Sequence, residues 1–588
     1  MQSPPSPPRR RGRALRLLLV VALALAALLA FLISTPTAAA LHHHASSPAR
    51  ALLVPRGTSS STTKQRLNLR TVREATSSTP PSGDPQAADT DAVLLPDWEV
   101  LVLLHPGAAA PHGDHHNATC AFPGGAASPA RSLGRMPASG RRAYTCAMPA
   151  PERRHKPPFR APTLLIDAAP QSSLSPPAIS GGGSSSEMAR WSGRLVYDAA
   201  TLGPGGDVLV FAKGVNPRQG VNRNASDVTC VYYRGRDASG DAVVASLPAA
   251  TSAQQVFRCP PPPPPADGDL RVTLSVAGGE PIPSVATYSP PTLPPPEQKE
   301  NKKKLICACT MVRDVGKFLR EWVAYHAAIG VDRFFLYDNG SQDDLDAQVR
   351  HLTSEGFHVT THMWPWPKAQ EAGFSYAAAA HRGSCHWMAF VDVDEFIFSP
   401  AWAQSTKPTK SMLRSVVAGV EPDVGQVTLG CRDFGPSGQT KNPEEGVTQG
   451  YTCRRRAEER HKSLVRLDAV DTSLVNSIHH FELRPGFRWE RSRHARVNHY
   501  KYQAWDEFKL KFRRRVSTYV TDWTDPVNHG SKDRTPGLGF EAVEPEGWAN
   551  KFCDVQDTLL RDVTRRWFGA GFSKKLMIAP RRLGHSSS

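Results

Sequence analysis

Trp387-Met388-Ala389-Phe390-Val391-Asp392-Val393-Asp394-Glu395-Phe396 is an apolar run that ends in carboxylates. Read as one buried strand, it places alternate side chains on the same side. Asp392 and Asp394 then project together from the carboxyl end, and Glu395 faces the other way as a structural anchor. In an open α/β sheet, ligands bind at that end of the strands. Paired carboxylates repel unless a positive charge sits between them, and a hard divalent cation with oxygen ligands supplies one. Asp-x-Asp alone is common among ordinary surface acids. Its context here gives it weight.

That context is a succession of strand–helix units. Leu305-Ile306-Cys307-Ala308-Cys309-Thr310 is a continuous apolar strand of the kind found in parallel sheets, with Cys307 and Cys309 expected as core thiols. Phe318, Trp322, Tyr325 and Ile329 follow at helical spacing, and Gly330 is the stop signal. Arg333 to Tyr337 is the next strand and runs into Asp338-Asn339-Gly340-Ser341, where Ser341 is placed to cap a helix carrying Leu345, Val349 and Leu352. Residues 357–361 form a third strand and 370–381 a third, alanine-rich helix. The wind is β-α-β-α-β-α-β, a half-Rossmann parallel sheet. Thr310, Arg313 and Asp314 end the first strand, and Asp338, Asn339 and Ser341 end the second on the same edge. They are the candidate nucleotide ligands, with Arg313 suited to a phosphate. Asp338-Asn339-Gly340 also spells a tight turn. The sequon at Asn339 would put a glycan in this cleft and is expected to stay empty.

The first half differs in kind. The chain has 588 residues, enough for more than one core, and its charge is 71 − 54 = +17. Arginines 9, 10, 11, 13 and 16 precede an apolar run from Leu17 to Ile33. This predicts a cytosolic tail over 1–16 and a transmembrane signal anchor over 17–33, with the remainder lumenal. A signal peptide cut near Ala40 is the alternative. Residues 34–94 read as a disordered stem. Short β-like runs over 95–288 predict a β-sandwich, 289–304 a proline- and lysine-rich linker, and 305–588 the α/β domain. Asn117 and Asn224 are sequon asparagines, consistent with a lumenal location. Of the ten cysteines, Cys120–Cys146 and Cys230–Cys259 are the disulfides expected in an oxidising compartment.

Three segments, 318–326, 335–341 and 390–396, together resemble the family 92 glycosyltransferases, most nearly the plant pectin β-1,4-galactan synthases. Phe434-Gly435-Pro436-Ser437-Gly438, Gly450-Tyr451-Thr452-Cys453, Glu459-Arg460-His461-Lys462-Ser463 and Ile478-His479-His480-Phe481 extend the likeness, as do Phe211 to Asn216 and Val256 to Pro260. The resemblance implies a GT-A-like catalytic domain, an inverting mechanism, Mn²⁺ (or Mg²⁺), and a UDP-sugar donor, UDP-galactose first. It implies a polysaccharide acceptor, pectic galactan, a single-pass type II Golgi membrane protein, and a β-sandwich that acts as a carbohydrate-binding module. Nucleic acid is not an expected partner. Oligomeric state stays open, with a homodimer as one option.

An inverting transfer needs a general base for the acceptor hydroxyl. Glu459 is the first candidate, with Asp433 and Glu458 as alternatives; each also reads as an ordinary surface acid. The resemblance implies a third metal ligand from a late histidine, His499 first and His479 second. Lys462 belongs to a basic stretch with Arg454, Arg455, Arg456, Arg460 and Arg466 that reads as a solvated face, a phosphate contact or a path for an acidic acceptor. Trp364 and Trp366 are candidates for stacking on sugar or for the core. Two rival functions remain. Paired carboxylates also serve glycoside hydrolases, although two acids on one strand do not flank a bond. A glycan-binding protein with an inactive transferase fold is the other.

Overall fold

The computed structural model describes residues 86–88, 90–105, 118–166, 186–202, 206–217, 221–236, 238, 242–264, 270–290, 303–511 and 544–573, all within one compact unit. The expected tail, anchor and most of the stem lie outside these residues, as do Asn117 and most of the linker. Among the described residues no helix is long and apolar enough to cross a membrane.

The second half is built on an eight-stranded sheet. Its strands are β1 (Lys304–Val312), β2 (Arg333–Asp338), β3 (Val359–Met363), β4 (Cys385–Phe390), β5 (Glu395–Phe398), β6 (Val424–Asp433), β7 (His461–Arg466) and β8 (Arg488–His499). They lie in the order β3-β2-β1-β4-β7-β6-β8-β5. The pairs β3–β2, β2–β1 and β1–β4 are parallel, as the strand–helix succession predicts. Beyond β4 the sheet is mixed: β7 is antiparallel to both β4 and β6, β8 is parallel to β6, and β5 is antiparallel to β8.

The crossovers are α1 (Gly316–Ile329), α2 (Leu345–Ser354) and α3 (Gln370–Ala380). Phe318, Trp322, Tyr325 and Ile329 are all buried, which is the apolar stripe read from their spacing. Gly330 ends α1 at φ 129°, and a Cβ there would stand 2.3 Å from the Lys410 carbonyl oxygen. Only glycine meets both demands. Ser341 does not cap α2, which starts at Leu345. Its hydroxyl donates instead to Asp338 Oδ1 at 2.6 Å and accepts from the Asp314 N–H at 3.0 Å.

The stretch 387–396 is two strands, not one. β4 ends at Phe390 and β5 starts at Glu395. The turn between them is closed from both sides. Glu395 N–H donates to Asp392 O at 3.0 Å, and Asp392 N–H donates to Glu395 Oε2 at 2.9 Å. Strand alternation therefore does not carry through the carboxylates.

For the region expected as a β-sandwich, the described residues give three sheets. One has eight strands, and two four-stranded antiparallel sheets share a core that includes Val210, Tyr232, Phe257 and Val272. A common core joins this region to the second half. Trp191, Tyr197 and Phe211 pack with Trp364, Trp366 and Phe374, and Trp191 stacks on Trp366 with centroids 5.7 Å apart. Trp364 and Trp366 are thus fully buried and face no sugar. The structure bonds Cys120 to Cys146 and Cys230 to Cys259. It also bonds Cys307 to Cys385 and Cys453 to Cys553, so Cys307 is not the free core thiol expected, whereas Cys309 is free and buried. β1 and β4 are sheet neighbours although their bonded cysteines stand 78 residues apart, a proximity that chain order hides.

Candidate active site

The carboxyl ends of β1, β2 and β4 lie side by side, with Val312 opposite Asp338 and Cys309 opposite Phe390. The 391–394 turn leaves the sheet at this edge. Three later strands then converge on it. β7 brings Lys462, next to Ser463, which pairs with Phe390. β8 brings His499 opposite Glu395 on one side and Asp433, the last residue of β6, on the other.

His499 is the hub. Its Nε2 lies 3.4 Å from Asp394 Oδ2 and 3.6 Å from Glu395 Oε1. Its Nδ1 donates to Asp433 Oδ1 at 2.9 Å, and Lys501 Nζ donates to Asp433 Oδ2 at 2.9 Å. Burial pushes the His499 imidazole down, but Asp394 and Glu395 outweigh it and lift the pKa to about 9. Asp394, Glu395 and His499 offer ligand atoms within 4.8 Å of one another. Two hard oxygens and one imidazole suit a cation such as Mn²⁺. A buried carboxylate behind the far imidazole nitrogen is the usual support of a ligating histidine. These residues fit the divalent ion that the sequence resemblance implies.

Asp392 is turned elsewhere. Its Oδ2 is 3.1 Å from Lys462 Nζ and 3.6 Å from His479 Nε2. Lys462 also reaches Glu395 Oε1 at 2.7 Å. Burial raises the Asp392 carboxyl pKa, yet the Lys462 ammonium, foremost, brings it below its ordinary value. Burial, reinforced by Lys462, lowers His479 to about 3, so this ring is neutral. Its Nδ1 donates to Phe390 O at 2.9 Å and its Nε2 accepts from Lys462. Asp394 carries a second counter-charge, Lys511, from a helical stretch at 505–511. Of the predicted metal ligands, Asp394 and His499 come together. Asp392 stands beside them against Lys462, and Glu395, expected to point away, completes the compact set. The 391–394 turn is the reason for both changes.

The family model described as glycosyltransferase family 92 matches residues 302–531. A family 92 protein of Ricinus communis is 42% identical over 383 residues, covering 63% of this chain and 68% of the relative. The chain belongs to glycosyltransferase family 92. A family 92 protein of Oryza sativa subsp. japonica is 41% identical over 397 residues, 64% of this chain and 66% of that protein. One of Arabidopsis thaliana is 41% identical over 372 residues, 61% and 64%. The chain thus spans about two thirds of the length of these relatives. Among solved structures, a mannosyltransferase of Pyrobaculum calidifontis in complex with GDP-Man and Mn²⁺ is similar at 10% identity and TM-score 0.22, over 40% of this chain and 66% of that one. Glucosyl-3-phosphoglycerate synthase from Mycobacterium tuberculosis with Mn²⁺ and UDP is similar at 13% identity and TM-score 0.17, over 28% and 58%. Likeness that slight leaves the site to be argued from its own residues.

In this family 92 chain the candidate bases divide. Asp433 is only 1% exposed and both its oxygens are engaged, so it supports His499 and offers nothing to an acceptor. Glu458 pairs with Arg491 and Arg432, and its carboxyl packs against Gly430, where a Cβ would come within 2.4 Å. Glu459 pairs with Arg455. Neither has a contact to the carboxylate cluster among the described residues. Both were candidates as carboxylates that follow the metal strand, and arginine partners hold them elsewhere.

The candidate donor residues form a network. Asp338 Oδ1 accepts from the Ser341 N–H at 2.8 Å, Asn339 Nδ2 donates to the Trp364 and Trp366 carbonyls, and the Gln342 N–H donates to Asp314 Oδ1 at 2.7 Å. Asp338 is therefore also the turn former that its sequence allowed. Asn339 has its amide committed, which leaves its sequon without a free acceptor nitrogen. Thr310 is fully buried and has no surface for a ligand. Arg313, Asn339 and Gly340 line a small cavity closed by Arg131, Asp97 and Glu99 of the first half. Arg131 donates to the Ser341 carbonyl at 3.1 Å. Sequence reasoning gave Arg131 no role, since nothing in one chain order marks which distant sheet will cover a loop. Asn224 is exposed.

Proposed function

We propose that this chain transfers a hexose from a nucleotide diphosphate sugar, UDP-galactose first, onto a polysaccharide acceptor of the pectic β-1,4-galactan type, with inversion. The observation that carries the reading is the convergence of Asp394, Glu395 and His499 within 4.8 Å, at the carboxyl edge of parallel strands. Family membership supports the reaction class. The resemblance noted in the sequence supports the choice of galactose, galactan and inversion.

Asp394, Glu395 and His499 would hold a divalent ion, Mn²⁺ or Mg²⁺, whose charge offsets that of the departing nucleoside diphosphate. The chain's own residues do the rest. Asp433 fixes the His499 ring, so that Nε2 faces the two carboxylates. Lys462 bridges Asp392 and Glu395 and holds both in place. The turn at 391–394 keeps these groups at the mouth of the sheet, beside the Asp338 loop, where a nucleoside would lie between Arg313 and the first-half sheet. Anchorage as a single-pass type II protein of the Golgi membrane, by residues 17–33, belongs to the same reading, as does a glycan on Asn117 or Asn224.

The test is to incubate the protein with a panel of UDP-sugars and Mn²⁺, with and without β-1,4-galactan oligosaccharides, and to measure released UDP and product length. Acceptor-dependent UDP release from UDP-galactose alone is the expected result. Release of sugar without any nucleotide would overturn the reading.

A further inference from the structure

Four carboxylates crowd this site: Asp392, Asp394, Glu395 and Asp433. Their cationic partners are Lys462, Lys501 and Lys511, with the His499 imidazole at the centre. The three lysines are not equivalent. Lys462 has 7% of its side chain exposed and bridges Asp392 and Glu395. Lys501 is 18% exposed, pairs with Asp433 and lies 5.0 Å from the Tyr502 ring centroid. Lys511 is 31% exposed, and its ion pair among the described residues is with Asp394 Oδ2 alone. That oxygen belongs to the compact ligand set with Glu395 and His499.

An ammonium group and a divalent cation that meet on one carboxylate oxygen repel each other in a partly buried site; Lys462 meets Glu395 of the same set, but it is buried and tied to Asp392 as well. Lys511 is the cation free to give way: it has one partner among the described residues and a solvent path. The stretch 505–511 rests on an aromatic cluster of Tyr502, Trp505, Phe508 and Trp548, and Trp548 Nε1 donates to the Gln503 carbonyl at 3.0 Å. A lysine that turns on a fixed helix keeps its charge within side-chain reach of Asp394.

We propose that Lys511 competes with the divalent cation for Asp394 and, once displaced, binds the diphosphate of the nucleotide donor. This rests on the nucleotide-sugar reading above. Lys511 would thus oppose binding of the cation alone and favour binding of cation and nucleotide together, which makes uptake of the two cooperative.

The test uses the full chain and calorimetric titration, first with Mn²⁺ alone and then with UDP at saturating Mn²⁺. Lys511→Met keeps length and removes charge. It should bind Mn²⁺ several-fold more tightly than the parent and bind UDP roughly tenfold more weakly, the loss of one charge-assisted contact. Opposite signs in the two titrations are the signature, since a merely misfolded variant weakens both. Lys511→Arg should bind UDP as the parent does. If Lys511→Met binds Mn²⁺ no more tightly than the parent, or UDP equally well, the role of Lys511 is overturned. A parent that binds no UDP at saturating Mn²⁺ overturns the nucleotide-sugar reading itself, and with it the second half of this proposal.

Discussion

His499 Nδ1 donates to Asp433 Oδ1 across 2.9 Å, joining the ends of β8 and β6 beneath the carboxylate cluster. This hydrogen bond sets which imidazole nitrogen faces Asp394 and Glu395. It also explains why a buried aspartate stands where sequence reasoning sought a base.

Asp433→Asn should therefore impair metal binding more than folding. The amide keeps the size of the side chain but loses the charge that orients His499 and pairs with Lys501. Loss of such a supporting carboxylate typically weakens metal affinity by about 10–100-fold. Mn²⁺ titration of the variant checks it, with the melting temperature as control. An unchanged Mn²⁺ affinity would remove Asp433 from the site.

Glu395 and Asp392 make a contrasting pair. Glu395 belongs to the compact set with Asp394 and His499, and Asp392 leans on Lys462 and His479. Glu395→Gln is expected to weaken Mn²⁺ binding more than Asp392→Asn does. Asp392→Asn should act mainly through Lys462, which loses one of its two carboxylate partners. Parallel titrations of both variants decide between this ranking and the Asp-x-Asp reading of the sequence, which requires the reverse.

The parallel half of the sheet was legible because β1, β2 and β4 are short apolar runs and Gly330 marks the end of the helix between the first two. Asp394 and His499 were legible as chemistry. Glu395 was not, because a turn that Glu395 itself helps to close interrupts the strand alternation on which its placement relied. Asp433 was read as a candidate base and not as the support of His499, and Lys501 and Lys511 were not read as partners of the site at all, for a different reason. They arrive on β6, the end of β8 and a late helix, and β8 reads Arg-Trp-Glu-Arg-Ser-Arg-His, too charged to show as a strand. Its outer residues are largely exposed, so no apolar pattern was needed there. The meeting of Glu321 with Val447 and Thr448 ties a segment that carried the family resemblance to a distant loop, yet only the folded chain shows the contact.

That contact supports a stability prediction. Glu321 is buried on α1 and accepts from the Val447 N–H at 2.8 Å, the Thr448 N–H at 2.9 Å and the Thr448 hydroxyl at 2.6 Å. Glu321→Ala would orphan these donors in the core, and each such buried group costs roughly 1–3 kcal/mol. With three donors orphaned, a loss of at least about 3 kcal/mol is expected in denaturant unfolding. A change under about 1 kcal/mol would mean that water reaches the segment and replaces the carboxylate.

Asp198 gives the pH dependence. It is buried on the strand Leu195–Thr201, at the junction with the second half. Burial raises its carboxyl pKa to about 7, against the opposing pull of the Ala199 N–H and of Arg141. The folded pKa lies above the unfolded one, so the folded state favours the protonated acid. The resulting stability is fully present below the unfolded value near 4 and is lost as pH rises through about 7. A tenfold change in an acid's dissociation constant is worth about 1.4 kcal/mol, so the loss between pH 5 and pH 8 is on the order of a few kcal/mol. Asp198→Asn keeps the Ala199 hydrogen bond and removes the titration. Its melting temperature relative to the parent should therefore rise from pH 5 to pH 8, with most of the change between 5 and 7 and a plateau above. The two melting curves are measured across that range in one buffer series. A constant difference would show that Asp198 stays ionised in the folded protein, with Arg141 and its other neighbours outweighing burial.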